Sequence, residues 1–256
     1  MGEELASFEG LAPFQDAQFV TANTNPPVPG RRSADASAHL PLWKKWSQQI
    51  AQRHGRKRAM AAYYPYLLAY RIGFWRKFER IDWPRVKRLV FVCMGNICRS
   101  PYAEAVAAGF RGPVISAGLR PMSGGSANPD AIRNAKRRGV DLTGHSVRSI
   151  DDLDIGPEDL IIGMEPWQAR RLKHIGRVRN SQAQITLLGL WGGRPEPYIA
   201  DPYGCGDSYF QTCYARIDAG VAGILEQVGD GSVPIGGVPE SRSNRKVLRA
   251  KRSRRR

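Results

Sequence analysis

Apolar residues recur along this chain in two different rhythms. From Leu40 the period is helical: Leu42, Trp43, Trp46 and Ile50 share one face, while Lys44, Lys45 and Gln48 lie away from it. His54-Gly55-Arg56-Lys57-Arg58 interrupts that pattern. A second helical stretch follows Pro65, with Leu68, Ile72, Trp75 and Phe78 set against Arg71, Lys77 and Arg80, until Trp83-Pro84 ends it. From Arg88 the rhythm changes to short apolar runs alternating with helical segments. Residues 89–92 read as a buried strand, 101–110 as a helix with Pro101 in its first turn, and 113–116 as a short strand. Residues 129–138 follow as a helix capped by Asn128, then 159–164 as a strand, 166–175 as a helix, 184–190 as a strand and 208–227 as a helix. Alternation at this spacing predicts an α/β fold, a short parallel sheet of four strands with helices on both faces, preceded by an extra N-terminal helical segment.

Charge divides the same chain differently. The net charge of the 256 residues is +16, but residues 91–240 carry 15 basic and 16 acidic groups and are nearly neutral. The excess sits in residues 31–90, with 15 basic and 3 acidic groups, and in residues 241–256, with 9 basic groups and no acid. The expected organisation is therefore a disordered segment over 1–38, a basic, Trp-rich helical extension over 39–86, a catalytic domain over 87–230 and a disordered basic tail over 231–256. No run of about 18 apolar residues suggests a membrane span. The start, MGEELASFEG, is acidic and lacks the basic-then-apolar order of a secretory signal, and Ala6 stands where a myristoylation signal has Ser or Thr. A cytoplasmic protein is expected, peripheral at the inner membrane surface if the flanks engage anionic lipid. The four cysteines, Cys93, Cys98, Cys205 and Cys213, are expected as free thiols, and their spacing fits no zinc template. Neither a metal nor another cofactor is expected.

The chemistry concentrates where the first strand ends. Parallel sheets bind ligands at the carboxyl ends of their strands, and there the sequence reads Cys93-Met94-Gly95-Asn96-Ile97-Cys98-Arg99-Ser100-Pro101. Successive backbone N–H groups in a strand-to-helix loop cradle an anion. A positive field of that kind favours a thiolate over a thiol. Arg99 adds a planar fork for two oxyanion atoms. Thiolate, amide cradle and guanidinium together suit attack on tetrahedral phosphorus, through a cysteinyl-phosphate later cleared by water. Cys-x5-Arg alone is a weak signal, and a cysteine at a strand end can simply be a packed core residue. The whole string is far more specific: it resembles the signature of the low-molecular-weight protein tyrosine phosphatases.

That resemblance covers residues 88–229 and carries expectations for named positions. It implies a phosphate-binding loop after the first strand, with Cys93 as nucleophile, Arg99 as phosphate ligand and Met94, Gly95, Asn96, Ile97 and Cys98 lining the loop. It implies that Asp201, in Asp201-Pro202-Tyr203, is the general acid that protonates the leaving phenolate. Ser100, Ser116 and His145 match positions whose hydrogen bonds hold the loop and the thiolate. Ser116-Ala117-Gly118-Leu119 with Gly124 and Gly125 looks like the bacterial subgroup that opposes tyrosine autokinases of exopolysaccharide export. The substrate implied is a phosphotyrosine protein, such as a tyrosine autokinase. No aromatic falls between Ser116 and Asn128, where animal-type members place one against phosphotyrosine, so Met122 and Tyr203 are the expected pocket walls. Glu165 stands where Asp is commoner and reads as a helix-start acid without a part in the chemistry. In the family, a cysteine at the place of Cys98 shields the nucleophile by a reversible disulfide; the alternative is a small residue at a crowded place. Cys205 and Cys213 read as structural.

Two other functions compete. An arsenate reductase on the same scaffold would need relay cysteines between His145 and Asp201, and that segment has none. A non-catalytic module could bind anions or nucleic acid through its basic flanks, but it has no recognised nucleic-acid motif behind it, and Cys93, Arg99 and Asp201 all stand. The flanks themselves admit two readings: an apolar stripe packed on the catalytic domain, or a basic amphipathic surface for an anionic membrane. On either reading they are expected to be dispensable for turnover of a small aryl phosphate.

Overall fold

Four short parallel strands carry the molecule, and their order in the sheet is β2-β1-β3-β4. They are β1 (Arg88–Cys93), β2 (Val114–Gly118), β3 (Asp159–Gly163) and β4 (Gln184–Leu187). The computed structural model describes residues 41–121 and 125–229. The expectations for 1–38, for Met122 and Gly124 and for 231–256 lie outside the described residues. β1 is central, pairing with β2 through Leu89–Val114 to Cys93–Gly118 and with β3 through Arg88–Asp159 to Val92–Gly163. Both its edges are paired and helices cover both its faces, which is why Leu89, Val90, Phe91 and Val92 form an unbroken apolar run and are all fully buried.

Side chains alternate across the sheet and feed two cores. Leu89, Phe91, Leu160 and Ile162 face one core with Tyr102, Ala103 and Val106 of α3 (Arg99–Val106), Ala131 and Ala135 of α4 (Pro129–Lys136) and the buried stripe of α7 (Asp207–Gln227). Val90, Val92 and Ile161 face the other, with Leu172 of α5 (Pro166–His174) and Val178 of α6 (Gly176–Asn180). The α/β architecture with helices on both faces is as the alternation predicts. Asn128 caps α4 by accepting from Asp130 N and Ala131 N at 2.9 and 3.2 Å.

Three elements differ from expectation. The helix after the first strand ends at Val106, and the last predicted strand ends at Leu187. Leu188–Leu190 turns as a 3-10 helix, and glycine is required within it, since a Cβ at Gly189 would stand 1.8 Å from Glu196 O. A further short helix, α6, follows α5 where the sequence showed no second period.

The N-terminal extension departs furthest. It forms α1 (Leu42–His54) and α2 (Lys57–Arg71), with Gly55 and Arg56 between them. The predicted apolar face of α1 is largely outside: Leu42, Trp43 and Trp46 are 85%, 65% and 56% exposed, and only Ile50 and His54 are buried. The second helix begins at Lys57, not after Pro65, and Pro65 sits inside it on the exposed side. There water can satisfy the carbonyl that a proline leaves without a donor. Its inward face is Tyr63, Tyr66, Leu67 and Tyr70, at helical spacing, while Leu68 and Ile72 point out. The apolar bodies of tyrosines, not the aliphatic stripe, make the contact. Past the helix, Trp75 and Phe78 are almost fully buried against Ala169, Leu187 and Leu190. Trp75 Nε1 donates to Tyr66 O at 3.1 Å, and Thr186 Oγ1 on β4 donates to Phe78 O at 2.6 Å. Among the described residues no helix is long and apolar enough to cross a membrane.

Candidate active site

The loop between β1 and α3 is shaped by what holds its carbonyls. Cys93 O accepts from Leu119 N at 3.0 Å, Met94 O from Arg120 N at 2.9 Å and Ile97 O from Asn128 N at 2.8 Å. Asn96 O faces His145 Nε2 at 2.8 Å. In a trans peptide the C=O and the next N–H point opposite ways, so four carbonyls drawn outward turn the N–H groups of Met94, Gly95, Ile97 and Cys98 to the other side of their peptides. Gly118 lets the end of β2 approach this loop: a Cβ there would lie 3.0 Å from Met94 O and 3.2 Å from Asn96 N. The loop is thus a cradle of donors, as an oxyanion requires.

Asn96 is the hub. Its φ of +54° is left-handed, a conformation that asparagine tolerates better than most residues but that still costs roughly 1–3 kcal/mol. The strain is offset by four hydrogen bonds. Its Nδ2 donates to Ser100 Oγ at 2.9 Å and Ser116 Oγ at 2.8 Å, and its Oδ1 accepts from Arg148 N at 2.9 Å. The fourth is the carbonyl bond to His145, and because a carbonyl only accepts, Nε2 is the protonated nitrogen of that ring. Ser116 Oγ in turn donates to Glu104 Oε2 at 2.5 Å. With Asn96 occupying a lone pair of Ser100, the serine hydroxyl points its hydrogen toward Cys93 Sγ, 3.1 Å away, with Ala117 O a longer second acceptor at 3.4 Å. Ser100, Ser116 and His145 are therefore brought together around Asn96, and Ser100 reaches the sulfur.

Arg99, at the first position of α3, is 1% exposed. Its Nη1 donates to Glu165 Oε1 at 2.6 Å and to Ile199 O at 2.9 Å, and its Nη2 lies 2.9 Å from Asp201 Oδ2. Burial opposes the charge, but Asp201, Glu165 and Cys93 outweigh it and hold the guanidinium well above the usual arginine range. Glu165 does more than start a helix. It is buried at the N-cap of α5, makes a capping box with Gln168, accepts from Trp167 Nε1 at 3.0 Å and fixes one arm of Arg99. The reading of Glu165 as a helix-start acid holds, and the structure adds a second contact, to Arg99, that spans 66 residues of sequence and becomes visible only when β3 lies beside β1. Arg99 Nε, meanwhile, is buried and has no hydrogen-bond partner. Nε–H and Nη2–H form one edge of the guanidinium, the edge that takes two oxygens of a phosphate side-on.

Asp201 reaches Arg99 Nη2 from the loop between β4 and α7, and Tyr203 N closes on Asp201 Oδ1 at 3.2 Å. Tyr203 stands beside it with its side chain mostly exposed. Cys98 is buried, and burial, then Asp201 and Cys93, push its thiol well up. Cys205 and Cys213 make weak contacts to the acid loop itself, to Asp201 O at 3.9 Å and Ala200 O at 3.7 Å. Burial pushes the Cys213 thiol up to about 12. All four cysteines are free.

Comparison with known proteins agrees with this arrangement. Residues 88–232 match the family described as low molecular weight phosphotyrosine protein phosphatase. The chain is 34% identical over 155 residues to the low molecular weight phosphotyrosine protein phosphatase of Sus scrofa, covering 56% of this chain and 96% of that one. It is 33% identical over 132 residues to the low molecular weight protein-tyrosine-phosphatase Wzb of Escherichia coli (strain K12), covering 51% and 87%. The crystal structure of Primo-1 superposes with a TM-score of 0.50 at 30% identity, over 55% of this chain and 97% of that one. With more than half its length matched, the chain belongs to the low-molecular-weight phosphotyrosine protein phosphatase family.

Proposed function

We propose that this protein hydrolyses phosphotyrosine in proteins through a covalent intermediate on Cys93. The observation that carries the reading is the guanidinium of Arg99, buried, held on one side by Glu165 and Ile199 O, with Nε unpartnered beside the Cys93 loop. The substrate phosphate takes the Nε–Nη2 edge and the loop amides. Cys93 Sγ attacks phosphorus; the S–P bond forms as the P–O bond to the phenol breaks, and Asp201 gives its proton to the departing oxygen. Water then attacks the phosphocysteine and passes a proton to the Asp201 carboxylate, and the S–P bond breaks to release phosphate and the thiolate. Ser100 donates to the sulfur whenever it is anionic, first as nucleophile and last as leaving group. Tyr203 forms one wall for the aromatic ring; Met122 is the other residue expected there.

Cys205 and Cys213 do not support the arsenate reductase reading. One is only half-buried and the other fully buried, and both lean on the backbone of the acid loop. The resemblance of Ser116-Ala117-Gly118-Leu119 to the exopolysaccharide-associated subgroup favours a tyrosine autokinase among the candidate substrates. The exposed Leu42, Trp43 and Trp46 beside Lys44 favour an anionic membrane surface as a second partner.

The test is a leaving-group series. Asp201→Asn cannot donate a proton, so kcat/KM should fall by about 100-fold or more for phenyl phosphate and far less for 2,4-dinitrophenyl phosphate, whose phenolate needs little protonation. Equal losses across the series would contradict the assignment.

A further inference from the structure

The family match begins at residue 88, yet the loop that carries Asp201 is held partly by residues well before it. Three contacts from the extension fall on residues 198–209. Arg56 Nη2 donates to Tyr203 O at 2.6 Å. The ring of Tyr66 packs on Tyr198 with centroids 5.3 Å apart. Gly55 lies so close to Tyr209 that a Cβ would stand 2.7 Å from its ring and 3.0 Å from Cys205 Sγ. Tyr209 is fully buried, and its hydroxyl donates to Ala200 O, the carbonyl just before Asp201, at 3.2 Å.

The geometry of the bond from Arg56 matters most. Cys205 N donates to Pro202 O at 2.9 Å, so residues 202–205 form a tight turn whose third residue, Gly204, has φ +66°. Tyr203 O belongs to the central peptide of that turn. This peptide can rotate as a plane between the common turn types, and the orientation of its carbonyl distinguishes them. A donor fixed on Tyr203 O selects one orientation. Tyr203 N, one peptide earlier, closes on Asp201 Oδ1, so the turn and the carboxylate are mechanically linked. Gly204 is fitted to this approach as well: a Cβ there would lie 2.6 Å from Arg56 Nη2. Gly55, with φ +74° and ψ −50°, sits at the centre of a γ-turn in which Arg56 N donates to His54 O at 2.9 Å, and this turn ends α1 and carries Arg56 toward the loop.

We propose that the turn between α1 and α2 is part of the catalytic apparatus, with Arg56 as a positioning residue that holds the Asp201 loop through Tyr203 O. This rests on the reading of Asp201 as general acid. The extension is then a brace on the acid step, and the proton transfer depends on residues the rest of the family region does not contain.

The experiment uses the full chain and measures kcat/KM for phenyl, p-nitrophenyl and 2,4-dinitrophenyl phosphate with Arg56→Ala, Arg56→Lys and Asp201→Asn. Arg56 is exposed, and unchanged circular dichroism should accompany its variants. Arg56→Ala should lose about ten-fold with phenyl phosphate, a fraction of what a general acid is worth, and the loss should shrink steadily as the leaving group becomes more acidic. Arg56→Lys keeps one donor for Tyr203 O and should recover most of that loss. A flat profile for Arg56→Ala, or a lysine variant as slow as the alanine one, overturns the inference. Asp201→Asn separates the two levels. If it shows the leaving-group gradient while Arg56→Ala does not, only the bracing role is wrong. If Asp201→Asn is itself flat, the acid assignment has failed and the brace falls with it.

Discussion

Residues 88–229 and the extension before them were built under different rules. In the first region one contiguous loop, Cys93 to Ser100, gathers the chemistry, and the residues that support it converge from β2, the N-cap of α5 and the loop ahead of α7. Apart from Arg99 Nε and the half-exposed Asp201, its polar groups are buried and paired, and small displacements cost hydrogen bonds. In the extension the contacts are aromatic and broad: Tyr63, Tyr66, Trp75 and Phe78 inward, Leu42, Trp43, Trp46 and Leu68 outward. The lesson is that a segment outside the family-matched unit can still be continuous with it. Trp75 and Phe78 complete the core beside β4, and Arg56 touches the acid loop.

The sharpest way to break the comparison is to attack the aromatic seam. Trp75→Ala removes a side chain that is 1% exposed and packed on Phe78, Leu187 and Leu190. It should cost about 3–5 kcal/mol of stability in urea unfolding of the full chain. A cost below about 1 kcal/mol would show that the extension is loosely attached and that the catalytic region stands alone.

A smaller effect concerns the outward side of the same segment. The full chain should co-sediment with vesicles containing acidic lipid at low salt and release them as salt rises, since each basic residue near the surface contributes about 1 kcal/mol. Trp43→Ala combined with Trp46→Ala should weaken that binding while leaving hydrolysis of p-nitrophenyl phosphate as it was. Protein that stays in the supernatant at low salt would remove the membrane from the account.

How much of this was legible in the sequence follows from the range of each contact. β1 and the loop after it were readable because the apolar run, Cys93, Arg99 and Ser100 are neighbours in the chain. Asp201 was recognisable only through resemblance, since nothing local distinguishes an Asp-Pro turn that faces Arg99 from one that faces water. Glu165 was read only in part for the same reason: as a capping acid it satisfies every local rule, and its second partner lies across the sheet. In α1 and α2 the period was right but the face was wrong. Periodicity treats Trp43 and Leu68 as core and tyrosine as doubtful, whereas the surface beneath accepts the flat bodies of Tyr63 and Tyr66. Leu188-Gly189-Leu190 extended a strand on paper because apolarity does not register how close Glu196 O comes.

The smallest predicted effect lies in the polar seam of the catalytic region. Asp207, at the start of α7, accepts from Asn134 at 2.8 Å, Arg133 at 2.9 Å and Arg137 at 2.7 Å. Asn134, then Arg133 and Arg137, hold its carboxyl well below the usual carboxylate range. A folded-state value below the unfolded one means the contribution is present above the unfolded value, about 4, and is lost as pH falls through the folded value. Acid unfolding below about pH 4 should therefore be shallower in Asp207→Asn than in the parent chain, and the difference should shrink with salt because the site is exposed. Identical acid limbs would mean that the cluster contributes nothing to α4–α7 packing.

The central claim is that Cys93 carries the phosphoryl group. Acid quenching during turnover of p-nitrophenyl phosphate, followed by mass spectrometry of the peptides, tests it most directly. The account predicts a phosphate adduct on the peptide containing Cys93, absent from Cys93→Ser, with that variant folded and its turnover reduced by about 1,000-fold or more. An adduct on another residue, or a serine variant retaining more than about a tenth of the activity, would contradict it.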